Sequence, residues 1–150
     1  RFGFSMHLID SQLDFGLTQK TEKSSDNPVY YVQYAYARIC SILRQIAEEN
    51  IAIDEKAPLT SLTAEVEINL IKKLGEYPEL IAGAAKERAP HRVAHYVYEL
   101  ASLFHSFYNQ CRILGVEPEV QQARLLLVIA VSHVLKHALD ILGISAPERM

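Results

Sequence analysis

Long apolar runs are missing from this 150-residue chain. The longest, Leu125 to Val131, has seven residues, far below the ~18–20 that a membrane-spanning helix needs. A secretory leader pattern is missing too: Arg1 is followed by neither a sustained apolar stretch nor a small-residue cleavage site. An excess of positive charge is lacking, since the formal net charge is −3, so a generally basic nucleic-acid binder is excluded and any contact with RNA has to be a local patch. Cysteine is scarce. Cys40 and Cys111 form no C-x-x-C pair and read as free thiols in a reducing compartment. There is no Gly-rich phosphate loop, no G-x-S-x-G elbow and no carboxylate pair in a setting that suggests acid–base work. Nothing in the chain reads as a complete active site.

What is present is ordinary for a globular domain: 49% hydrophobic and 22% charged residues. A chain of this length buries roughly 68–70% of its unfolded surface and can form a core without metal or disulfide support. Charge is uneven along it. Residues 1–88 hold 10 Lys/Arg and 13 Asp/Glu, whereas residues 89–150 hold 5 of each, together with five of the six histidines.

Residues 1–26 open with a short apolar piece and end in Lys, Ser and Asp. They read as the tail of a preceding domain and a linker, and Arg1 as a cut inside a longer protein. Residues 27–150 read as one all-α domain, a bundle of about five helices. Asn27-Pro28 starts the first, an N-cap followed by a proline suited to the first helical position, and this helix runs to about Glu49. Val32, Ile39, Leu43 and Ile46 share its apolar face. Thr63 is placed to cap a second helix, about Ala64–Leu74, with Glu65 and Glu67 near its positive end. Pro78 opens a third to about Arg88. Pro90 opens a fourth to about Leu114, and a fifth runs from about Val120 to Leu142. Leu125–Val131 is apolar nearly all round, which predicts that the fifth helix is the buried centre of the bundle.

The stretch "NPVYYVQYAYARI" holds four of the eight tyrosines. At ~100° per residue, Tyr31, Tyr34 and Arg38 fall on one narrow stripe at the edge of the apolar face. Two phenol rings and a guanidinium there form a platform on which unpaired bases stack; the alternative is a core rim with its hydroxyls in water. Tyr30 and Tyr36 lie off the stripe and read as packing residues. His105, Tyr108 and Arg112 follow at i, i+3 and i+7 and make a second stripe on the fourth helix. His91 and His95, and His133 and His137, are four apart, a spacing that could place two imidazoles on one metal. Neither pair carries the Glu of a zinc-protease motif, so no metal site is predicted.

The tyrosine stretch resembles the Tyr-Val-Gln-Tyr-Ala-x-Ala-Arg signature of arginyl-tRNA synthetases. "SQLDFGL" resembles the segment closing that family's catalytic domain. "APHRVAHYVYELASLFHSFYNQCRIL" and "ARLLLVIAVSHVLKHALDILGISAPERM" resemble the middle and the last helix of its DALR-type anticodon-binding domain. The resemblance covers essentially the whole chain, in order. It implies a domain that recognises the anticodon loop of arginine tRNA, belonging to a cytoplasmic, monomeric class I synthetase. That parent joins arginine to its tRNA with ATP and magnesium; the fragment itself has no cofactor and no activity, because the His-x-Gly-His and Lys-Met-Ser-Lys motifs lie upstream. Its partners would be arginine tRNA and the catalytic domain of the same chain, with no membrane. Carried over by motif, the tRNA-binding residues are Tyr31, Tyr34, Arg38, Tyr108, Arg112 and Met150. Tyr36, Ser132 and His137 depart from the family pattern. A helical protein-interaction domain without RNA readout is the competing reading.

Overall fold

The computed structural model describes residues 27–150; the expectations for residues 1–26 lie outside them. Five helices make up the described residues, which contain no strand: α1 Pro28–Glu48, α2 Glu65–Gly75, α3 Tyr77–Glu87, α4 Pro90–Gln110 and α5 Pro118–Leu142. The start of α1 follows from its first two residues. The Asn27 side chain accepts hydrogen bonds from the main-chain N–H of Val29 at 2.9 Å and of Tyr30 at 3.4 Å, and Pro28 occupies the first turn, where a missing N–H costs nothing.

Two boundaries differ from the sequence expectation for physical reasons. Thr63 does not cap α2. Ala64 is the capping residue, and the Glu67 carboxylate reaches back to its N–H at 3.0 Å. The fourth helix stops at Gln110, not Leu114, because Cys111 turns extended (φ −121°, ψ 126°). Cys111 and Ile113 are buried while Arg112 is exposed, the period-two alternation of an extended strip. A run of apolar residues continues past the helix end, so helical periodicity alone overshoots it.

The centre of the bundle is also shared differently. α4 packs against each of the other four helices, and α5 packs against α4, α1 and α2. Phe104 and Phe107 of α4 are fully buried, together with Ile39 of α1 and Leu125, Val128, Leu135 and Leu139 of α5. In the Leu125–Val131 run, Leu126, Ile129 and Ala130 are only partly buried. By length and composition α5 would be able to cross a membrane, but half of its apolar stretch is buried within the bundle, which accounts for that composition as a core helix.

Among the described residues one ion pair is buried. Arg124 Nε donates to Glu67 Oε2 at 2.6 Å, with the Glu67 side chain 1% exposed. The same guanidinium donates through Nη1 to the Arg112 carbonyl. It thereby joins the start of α2 to the strip after α4. Beyond α5, Gly143 takes a left-handed conformation (φ 70°) that ends the helix. The following residues fold back along α1: Gln33 Nε2 donates to the Ser145 carbonyl at 2.9 Å and to Ser145 Oγ at 3.2 Å, and Arg44 Nη1 donates to the Glu148 carbonyl at 3.1 Å.

Candidate nucleic-acid interface

The tyrosine-rich turns of α1 meet the last turns of α4 around Arg38. The Arg38 guanidinium carbon lies 4.7 Å from the Tyr34 ring centroid and 4.2 Å from that of Tyr108. Both distances are within cation–π range. Two hydrogen-bond contacts fix its orientation: Nη2 donates to the Tyr34 hydroxyl at 3.0 Å, and Nη1 faces His105 Nδ1 at 3.4 Å. The residue is therefore held between a ring from each helix, at the surface end of the core.

Around this group lies a cleft of about 400 Å³. Tyr34, Arg38, Arg44 and Gln45 of α1, Tyr108 of α4 and Arg149 and Met150 of the folded-back tail line it. Three arginines in one cleft make a local positive patch on a chain whose net charge is −3. A second cleft of about 360 Å³ adjoins it and shares Gln45 and Tyr108; Cys111, Arg112, Ile113 and Leu114 form its other side. Tyr108, 38% exposed, stands between the two. The inner side of the site is a ring stack. Tyr31 packs on Tyr98 (5.1 Å between centroids) and on His105 (4.8 Å), while Tyr30 stacks on Tyr34 at 6.0 Å with planes 11° apart.

His105 is the polar group underneath. Burial, with the Arg38 charge acting in the same direction, lowers its pKa from the ordinary histidine range, against an opposing main-chain hydrogen bond with Tyr31. A neutral ring whose Nδ1 accepts from Arg38 carries its proton on Nε2, and that atom is buried with no well-formed hydrogen bond.

The DALR anticodon binding domain profile matches residues 32–150. The chain belongs to this family. It is 51% identical over 152 aligned residues to the arginine–tRNA ligase of Caldanaerobacter subterraneus subsp. tengcongensis, and 48% identical over 151 to arginine–tRNA ligase 1 of Halalkalibacterium halodurans. In each case all of this chain is covered and 27% of the relative, so the chain spans about a quarter of the length of these proteins. Among solved structures, the arginyl-tRNA synthetase of Thermus thermophilus superposes with a TM-score of 0.70 at 34% identity, covering 87% of this chain and 22% of that one.

Within this DALR domain, Tyr34, Arg38, Tyr108 and Met150 line one cleft. Arg112 lies in the adjoining one, and not by helical spacing: the extended turn at Cys111 takes it off the α4 face that carries His105 and Tyr108. Tyr31 packs into the rim of the core, whereas Tyr30, off the stripe on the helical wheel, stacks beside Tyr34. Tyr36 is buried. Burial and a hydrogen bond with Cys40 push its phenol up to about 12. Ser132 is buried and its hydroxyl donates to the Ile129 carbonyl at 2.6 Å. His137 Nδ1 lies 2.6 Å from the Tyr77 hydroxyl, and neither residue lines the cleft. His91, His95 and His133 are exposed, and no three His, Cys, Asp or Glu among the described residues form a metal-binding group.

Sequence reasoning missed Gln45, Arg44 and Arg149. Extending the Tyr34–Arg38 stripe by two more turns would have reached Ser41 and Gln45, at i+7 and i+11 from Tyr34. Arg149 has no such signal, because only the folded-back tail brings it to α1.

Proposed function

We propose that this domain binds the anticodon loop of arginine tRNA at the Tyr34–Arg38–Tyr108 cleft. The observation that supports the reading best is the convergence of four motif-matched residues, from α1, α4 and the tail, on one open, arginine-lined cleft. Splayed bases would stack on the exposed Tyr108 ring and on the edge of the Tyr34–Arg38 platform. Arg44 and Arg149 would meet the phosphates, which position the loop without reading sequence. Tyr31 would act from below, by holding His105 and the α4 turn in place.

The parent protein would be an arginine–tRNA ligase of the cytoplasm, acting as a monomer. ATP and magnesium would bind its catalytic region. Residues 1–26 would be the end of that region and the linker. Titration of the domain with arginine tRNA and with a version carrying a different anticodon tests the proposal. Tighter binding of the first supports it, and equal affinity at moderate salt removes anticodon readout. A stable complex with a protein partner, and none with either RNA, would favour a helical interaction domain instead.

A further inference from the structure

The Arg38 guanidinium is flat, always charged and ringed by aromatic groups. Stacking on Tyr34 and Tyr108 alone leaves it free to rotate in its plane. Two acceptors restrict that freedom: the Tyr34 hydroxyl on Nη2 and His105 Nδ1 on Nη1. Only a neutral imidazole offers an acceptor, because both nitrogens of the protonated ring are donors. Protonation would turn the contact into two cations facing each other at 3.4 Å.

Resting on the RNA-binding reading above, we infer that neutral His105 is a positioning residue: it locks the Arg38 guanidinium in the orientation that presents the Tyr34–Arg38–Tyr108 platform to an RNA base, and acid releases that lock. The groups around the ring leave little to offset a proton there. From α1 they are Arg38, the Tyr31 ring and main chain, and the Tyr34 ring; from α4 they are Phe104 and, across the Tyr31 ring, Tyr98. Among the described residues Arg38 is the one full charge that acts on the ring, and it opposes protonation. The Tyr31 main chain alone favours it. His105 touches no base in this scheme. It acts through Arg38.

Two measurements test this. In the RNA-free domain, nitrogen-resolved NMR should show the His105 tautomer with its proton on Nε2, and Arg38→Gln should raise the pH at which His105 titrates. A proton on Nδ1, or a titration unchanged by Arg38→Gln, overturns the inference whether or not the domain binds RNA. For binding, His105→Leu should weaken arginine tRNA about tenfold at neutral pH, the size of one hydrogen bond to a charged group. His105→Gln, whose amide oxygen accepts from Arg38, should restore most of that loss. From about pH 8 down to about pH 5, the affinity of the His105 protein should fall relative to that of the Gln variant. The other histidines are common to both proteins and cancel in the ratio. Parallel pH profiles would overturn the inference. Absence of tRNA binding by the unsubstituted domain at any pH would instead overturn the proposed function, and the inference about RNA with it.

Discussion

Arg38 sits 4.2 Å above the Tyr108 ring, and that contact joins two helices through residues seventy positions apart in the chain. Arg38 belongs to the third turn of a helix capped by Asn27, and Tyr108 to the last turn before the chain goes extended at Cys111. Had α4 continued to Leu114, Arg112 would lie one turn beyond Tyr108 on the same helical face, and the extended strip that walls the second cleft would be lost.

Tyr34→Ala should weaken tRNA binding by ~1–3 kcal/mol, the usual contribution of one stacked aromatic. Helix content by circular dichroism should stay the same, because the ring packs at the rim and not in the core. Unchanged affinity would remove Tyr34 from the site.

Breaking the buried Glu67–Arg124 pair should be far more damaging to stability than any substitution in the cleft. Glu67→Gln leaves Arg124 facing a neutral amide, and Arg124→Met leaves a carboxylate that is 1% exposed without its counter-charge. A loss of ~3–5 kcal/mol is expected for the second, read from urea unfolding. Replacing both residues by apolar ones should recover much of it. A loss below ~1 kcal/mol for Arg124→Met would show that the pair is solvated.

Salt dependence should report the arginines. Each phosphate contact to a single-stranded loop contributes about −0.7 to the slope of log affinity against log salt. Arg149→Gln should therefore make that slope shallower by about 0.7, with little change in unfolding, since Arg149 is exposed. An unaltered slope would place Arg149 off the RNA.

Alkaline pH should destabilise the fold in a defined window. Burial pushes the phenols of Tyr36 and Tyr77 from 10.0 to about 12. The folded state thus prefers their neutral form. This contribution is complete below pH 10 and is lost as the pH rises through about 12. Thermal unfolding followed against pH should show the midpoint falling across that window. Tyr77→Phe should flatten part of the fall, and no change in slope would mean that the Tyr77 phenol ionises without cost.

Much of this architecture is legible in the residues. Asn27-Pro28 and Gly143 mark their helix ends by local chemistry, and the Tyr34–Arg38 spacing makes an edge stripe on any straight helix. What was not legible depends on partners distant in sequence. Glu67 reads as a residue favourable near a helix N-terminus; that it is buried against Arg124 depends on how α5 crosses α2. The end of α4 was overrun because Cys111, Ile113 and Leu114 keep the apolar count high while the backbone period changes from 3.6 to 2. Arg44 and Arg149 line one cleft only because the tail folds back onto α1, through Gln33–Ser145 and Arg44–Glu148 bonds that no periodicity predicts.

The central claim is that this cleft reads the anticodon, and a two-by-two comparison tests it most directly: the domain with Tyr108 or with Tyr108→Ala, each titrated with arginine tRNA and with an anticodon-swapped tRNA at one salt concentration. The account predicts a loss of ~1–3 kcal/mol with arginine tRNA and a much smaller loss with the swapped one. The same loss with both RNAs, or none with either, would contradict it.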